Sequence, residues 1–226
     1  MREVKIQLSD MYDEVLASTA DGTLLVSDLY KYNRYYDLIN SLNHNLQKLG
    51  YAELEITEQH LKTMYIMNSA LIGDCLSFGT GYSEESAKRC INAIWCADGK
   101  HWSSRIWNNK TDLQNRIEKG IMDCVSRGVS KAELVKDLRQ NMNVGFNQAD
   151  RIARTELSYV QNQATKDKFI EAGIEKYQFL SAHDDRTCDV CGELDGKIFN
   201  LRDARVGENY PPIHPNCRST VLAVIE

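Results

Sequence analysis

Proline is scarce in this chain. Three of its 226 residues are proline, and Pro211, Pro212 and Pro215 fall within five positions of one another. Proline interrupts both helices and sheet ladders, so the stretch before Pro211 is free to run in long regular elements. Glycine is modest as well, at 13 residues, which excludes a low-complexity linker or a collagen-like array. No run approaches the roughly 20 apolar residues that a bilayer span requires, and no membrane anchor is expected. The opening segment, MREVKIQLSDMYDEV, has no apolar core of a secretory signal. No segment repeats at solenoid length. A glycine-rich phosphate loop is missing, and no set of nucleophile, base and acid can be assembled.

Positive charge is also short. Lys and Arg number 27 against 32 Asp and Glu, a net charge of −5. Residues 1–100 carry 9 basic and 14 acidic side chains, residues 101–180 carry 13 and 10, and residues 181–226 carry 5 and 8. Solvated helix faces explain this spread better than a nucleic-acid footprint, which needs a clustered basic surface. Cysteine is plentiful by contrast. Seven residues, an odd number with no signal segment, point to reduced thiols in a cytoplasm and not to a disulfide framework.

What is present is helical first. Ser27 reads as a cap, Leu38, Leu42, Leu46 and Leu49 recur at helical spacing, and Gly50 reads as the stop. A second helix is expected from near Thr57 through EQHLKTMYIMNSALIGDCLS. A third follows Ser83, with Glu84 and Glu85 suited to the positive end of its dipole, and ADGK at 97–100 breaks it. A long helix is expected over 102–127, with Leu113, Ile117, Ile121 and Cys124 on one stripe and Gly128 as stop. Ser130 to Glu133 reads as a capping box for a short helix. Asn147 then caps a last helix, about 148–172, ending at Gly173.

After Gly173 the texture changes. IEKYQFLSA, GKIFNL and RSTVLAVIE are short, aromatic and β-branched, with turn-forming loops between them. The expected fold class is therefore α+β: a mainly helical body, then a small C-terminal strand-and-loop unit. Residues 1–145 read as a helical N-terminal region and residues 146–226 as a C-terminal domain.

The chemistry concentrates in that last unit. Cys188 and Cys191 form CxxC, and after 22 intervening residues come His214 and Cys217 as HxxC. Three sulfurs and an imidazole on two short knuckles suit tetrahedral zinc in a structural site. Gly192 offers backbone freedom to the first knuckle, and the three prolines stiffen the second. Two other readings stay open, packed unligated thiols and a redox pair. The redox pair lacks the βαβ context of thioredoxin-like motifs. Cys75, Cys90, Cys96 and Cys124 fall on expected helices and read as small buried hydrophobes. His183 reads as an exposed loop histidine or an alternative ligand, while His44, His60 and His101 stand alone. Asp184, Asp185, Glu193 and Asp195 read as turn formers. Arg151, Arg154 and Ser158 share a helix face, either solvated or at an interface.

ARTELSYVQNQA, DDRTCDVCGELDGKIF and PPIHPNCRS, in this order, resemble the phage head morphogenesis family, the Mu F-like minor head or minor capsid proteins of tailed phages and prophages. The resemblance covers about 145–226. The segments YYDLINSLNHNLQKLGY and INAIWCADGKHWSSRIW look like the N-terminal region of such proteins from Gram-positive hosts. One departure is visible: the family's closing motif often reads CRC, and here it is Cys217, Arg218, Ser219. The resemblance implies a structural protein of the virion head, with no enzymatic activity, that is associated with the portal and acts in head assembly or DNA delivery. Its implied partners are the portal protein and other capsid or scaffold proteins, with phage DNA contacted without sequence specificity. Its implied locations are the virion head and, during assembly, the host cytoplasm. The alternative is a metal-containing nuclease or DNA-processing enzyme. That would need an open position on the metal, whereas Cys188, Cys191, His214 and Cys217 together fill a four-coordinate zinc. A DNA-binding zinc module lacks the basic surface that phosphate contacts demand.

Overall fold

The computed structural model describes residues 34–127 and 131–225. Among the described residues four helices come first: α1 (Arg34–Cys75), α2 (Glu84–Ile91), α3 (Trp102–Arg127) and α4 (Lys131–Glu171). Strand β1 (Lys176–Leu180), the short helix α5 (Asp189–Leu194), β2 (Ile198–Asn200), a 3-10 turn at Leu201–Asp203 and β3 (Thr220–Val224) complete the order. The expected α+β class, helices followed by a small sheet, is what the structure shows. No described helix is long and apolar enough to cross a membrane.

The chain divides into two compact units, each described by itself. One draws on residues up to Leu54 with Ile106–Ala149, and the other comprises Glu55–Arg105 and Asp150–Glu226. In the first unit, Leu42, Leu46 and Leu49 of α1 are buried, as are Ile106, Leu113, Ile117 and Ile121 of α3. Apart from Ile106, these belong to the stripes legible in the sequence, whose other members, Leu38 and Cys124, have side chains outside what is described. Lys110 reaches Glu53 in an ion pair, and Tyr51 meets the Trp107 ring edge-on at 5.1 Å between centroids.

Two expected helix breaks are absent. The pair of helices read either side of Gly50 is the single α1, with Gly50 and Thr57 in its interior. A mid-helix glycine costs about 1 kcal/mol relative to alanine, which is too little to break a helix with buried side chains on both sides of it. Gly50 is there for contact: a Cβ would lie 2.5 Å from Trp107 Cζ3. Likewise the helices read either side of Asn147 are the single α4. Gly145, two residues before the expected cap, sits where a Cβ would come 3.1 Å from Leu113 Cδ2. Ser27, Gly128 and Ser130, the remaining capping and stop residues, lie outside the described residues.

In the second unit the local signals hold better. The Ser83 hydroxyl caps α2 by accepting from Ser86 N at 3.2 Å. That helix ends at Ile91, before the expected ADGK, because the Asn92 side chain turns back to donate to Lys88 O at 2.8 Å. Gly173, at φ +72°, ends α4, and Ile174 N closes the turn on Phe169 O at 2.8 Å. The chain then enters β1 after two residues. The sheet is antiparallel with order β2-β1-β3. Tyr177 and Phe179 point from β1 to its inner face and are fully buried. Tyr177 lies opposite Phe199 and Ala223, and Phe179 opposite Val221. Around Tyr177 gather Phe169, Leu201, Tyr210 and Val221, with Ile72 of α1 and Leu76 just after it against them. Around Phe179 gather Cys191 and Cys217.

The close approach at Gly50 generates a test. In an exposed helix, Gly→Ala normally stabilises by up to about 1 kcal/mol. Here Gly50→Ala must push the Trp107 ring aside, and a net destabilisation of about 1–3 kcal/mol is expected from overpacking. Thermal unfolding followed by tryptophan fluorescence reads it, and a raised Tm would contradict the assignment.

Candidate metal centre

The first knuckle is built by a loop running into a short helix. Cys188 is extended and precedes α5, and its sulfur accepts from Cys191 N at 3.4 Å. The loop before it is closed by Asp184, whose carboxylate accepts from Arg186 N at 3.0 Å. Gly192 lies inside α5 with open space where a Cβ would stand, so the expected need for glycine there is not met. The left-handed position is Gly196, at φ +73°, where the chain turns into β2. The second knuckle is tighter. Cys217 N donates to His214 O at 3.1 Å, with Asn216 between them at φ +61°.

The two knuckles meet. Cys188, Cys191 and His214 offer ligand atoms that all lie within 4.8 Å of one another. His214 Nε2 is 3.1 Å from Cys188 Sγ and 3.4 Å from Cys191 Sγ. Cys217, the fourth expected ligand, lies 3.8 Å from Cys191 sulfur to sulfur but falls outside the group of three whose ligand atoms are mutually within 4.8 Å. Tetrahedral bonds of about 2.3 Å to sulfur and about 2.0 Å to nitrogen imply edges of about 3.8 Å between sulfurs and about 3.5 Å from sulfur to nitrogen. Three of the six edges of such a site are seen, at 3.1, 3.4 and 3.8 Å, near these values.

The protonation pattern fits a cation as well. His214 Nδ1 lies 2.9 Å from Pro215 O, and a carbonyl can only accept, so the Nδ1 hydrogen is spent there. Nε2 is left with its lone pair facing the sulfurs, the tautomer that a metal-ligating histidine shows. Cys191 and Cys217 are buried and Cys188 half-buried. Burial first, against a lowering contact from Ser219 and with Cys217 adding to the rise, lifts the Cys191 thiol above its ordinary value. Soft donors, a committed imidazole and thiolates that need a compensating charge make a group able to hold a metal ion.

The supporting contacts come largely from residues that the sequence reading passed over. The buried Thr155 hydroxyl of α4 accepts from Asn216 N at 3.0 Å and donates to Arg151 O at 2.7 Å. Asn162, also buried, donates to Ser158 O at 2.8 Å and receives the Tyr210 hydroxyl on its own carbonyl at 2.8 Å. Glu156 binds Trp95 Nε1 and Arg105, each at 2.9 Å. Burial raises the Glu156 carboxyl despite both donors. The available signal was the run of polar residues at 155, 156 and 162 on a helix face that also carries Ile152, Tyr159 and Val160.

The other candidates resolve individually. His183 is an exposed loop residue, 3.0 Å from Asp195 and not at the metal centre. Asp184 and Asp195 have the expected turn roles, Asp195 by accepting from Ser181 N at 2.7 Å. Cys90 is buried as expected. Cys75 is exposed, and Cys96 lies half-buried in the segment between α2 and α3, so the buried-helix reading fails for both. The Cys124 side chain lies outside what is described. Arg151 and Arg154 lie on a solvated face, Arg154 paired to Asp150 at 2.8 Å.

The family described as Phage Mu protein F like protein matches residues 115–222, a range that contains both knuckles and Thr155. A NAD(+)–arginine ADP-ribosyltransferase, EFV, of Enterococcus faecalis is 28% identical over 142 residues, covering 57% of this chain and 29% of that protein. An uncharacterised protein of Haemophilus influenzae is 24% identical over 117 residues, 52% of this chain and 26% of the other. The minor head protein GP7 of Bacillus phage SPP1 is 22% identical over 245 aligned positions, spanning 100% of this chain and 79% of that protein. The chain thus covers under a third of the first two relatives. No solved structure matches it.

One ion pair ties the two knuckles and can be tested directly. Both Arg218 nitrogens hold the Asp184 carboxylate, and that contact keeps the carboxyl well below the usual range. A depressed carboxyl favours the folded state above the ordinary value near pH 4, and the contribution fades as pH falls through the lowered value. Arg218→Ala is expected to return the Asp184 titration to the ordinary range. A carbon-detected NMR titration reads this, and an unmoved midpoint would sink the assignment.

Proposed function

We propose, from the match of residues 115–222 to the family described as Phage Mu protein F like protein, that this chain is a structural minor head protein of a tailed phage or prophage. It associates with the portal and acts in head assembly or DNA delivery. Its place is the virion head, reached from the host cytoplasm during assembly, and its contacts are with portal, capsid or scaffold proteins and with DNA irrespective of sequence. The observation that carries this reading is the family match, supported by the likeness to a minor head protein along the whole chain. Residues 146–226 form the part with the family's motifs, and the preceding helices form the rest.

Within that role the metal is a staple. Cys188, Cys191, His214 and Cys217 hold one zinc, whose chemistry when bound is to neutralise the thiolates and fasten two loops together. The gathering of Cys188, Cys191 and His214, the 3.8 Å between the Cys191 and Cys217 sulfurs and the committed His214 Nδ1 support this assignment. Four protein ligands leave zinc no open position, so the centre stabilises and does not react. The activity named for the Enterococcus faecalis protein is not carried over, since this chain covers 29% of that protein.

Purified protein is expected to contain about one zinc per chain. Cys188→Ser should lose it and loosen residues 180–226 while leaving the far-ultraviolet helical signal largely in place. Metal analysis with hydrogen exchange reads both, and far less than one zinc in the unsubstituted protein would remove the site. For the role, the chain is expected to co-purify with the portal protein encoded beside it. It should neither cleave DNA nor transfer ADP-ribose from NAD+ to an arginine acceptor. DNA cleavage abolished by His214→Ala would replace the structural reading with the nuclease.

A further inference from the structure

The HxxC knuckle carries an internal difficulty. Asn216 sits at φ +61° between its two candidate ligands, a conformation that asparagine tolerates but that is costly for most residues. In that conformation its N–H points away from the local turn, which is already closed by Cys217 N on His214 O. The partner it finds is on another element. The Thr155 hydroxyl on α4 accepts it at 3.0 Å, and that hydroxyl is pinned by its own donation to Arg151 O at 2.7 Å. Thr155 is 5% exposed, so water does not readily replace it. The next residue, Glu156, is tied to Trp95 and Arg105, which holds this turn of α4 in place.

We infer that Thr155 is a positioning residue for the metal centre, acting through the Asn216 amide to aim His214 and Cys217 at the ion. The inference rests on the metal reading above. Outer contacts of this kind orient ligands without touching the metal. Thr155→Val keeps the shape of the side chain, removes the acceptor and takes from the part-buried Asn216 N–H its partner, whereas Thr155→Ser retains the hydroxyl.

The test is Co2+ and Zn2+ binding to the full chain, comparing the unsubstituted protein with both variants. Co2+ reports ligand geometry through its visible bands and the sulfur-to-metal charge-transfer band. Thr155→Val is expected to bind about 10–100-fold more weakly, the usual cost of removing an outer contact, with shifted Co2+ bands. Thr155→Ser is expected to restore both affinity and spectrum. Equal affinity and an unchanged spectrum in Thr155→Val would overturn the role of Thr155 alone. Failure of the unsubstituted protein to bind either metal would overturn the metal centre, and this inference with it. Where Thr155→Val does not fold, hydrogen exchange of the Asn216 amide in the zinc-loaded protein decides: protection supports the bond, and exchange at the free-peptide rate refutes it.

Discussion

Two sulfurs 3.8 Å apart in a buried setting set the constraint on which the C-terminal segment depends. As thiolates they would repel by about 4 kcal/mol at an effective dielectric constant near 20, and burial raises the cost of charging either one. As thiols they would be small apolar groups with weak donors. A cation between them changes the sign of the interaction, because each sulfur then faces a positive charge instead of its neighbour. The chain has prepared for that state on the histidine side too, by spending Nδ1 on Pro215 O and turning the Nε2 lone pair inward.

The preparation extends outward from the ligands. Asp184 lies four residues before Cys188, and Arg218 directly follows Cys217, so their ion pair clasps the two knuckles at their outer ends. Thr155 supports the second knuckle from the helix side, and Asn162 takes the Tyr210 hydroxyl on the segment leading into it. These polar groups are nearly all satisfied, and buried polar groups rigidify a site only when they are. The helical motif and the two loop motifs that carry the family resemblance are therefore one contact set, seen from three places in the sequence.

How much of this was legible follows from the range of each signal. Local chemistry read well: Ser83 caps α2, Gly173 ends α4, and the three short β-branched runs are the three strands. Spacing alone brought out Cys188, Cys191 and His214, whose ligand atoms gather within 4.8 Å, because CxxC and HxxC each close on themselves. Gly50 and Asn147 misled, since a glycine or a capping residue looks the same in a string whether it ends a helix or admits a neighbour. The partners that decide the matter, Trp107 and Leu113, are distant in sequence. Thr155 and Asn216 were illegible for the same reason: their bond joins positions 61 residues apart, and no periodicity reports it.

The core of the small sheet gives the proposed metal a physical reason to be there. One cluster of buried side chains, around Tyr177 and Tyr210, is ordinary: aromatic and aliphatic groups from two strands packed on helices. The other consists of Phe179, Cys191 and Cys217, with Cys188, Leu194, Phe199 and Ile213 against it. Three of those seven residues are candidate ligands, so core and metal centre are here the same object. A strand of three residues and two of five bury little apolar area, and units this small usually need a staple beyond their hydrophobic core. Filling the site with larger apolar side chains would satisfy packing, but it would not fasten loop 184–191 to loop 211–218. An ion bound by both loops does both at once.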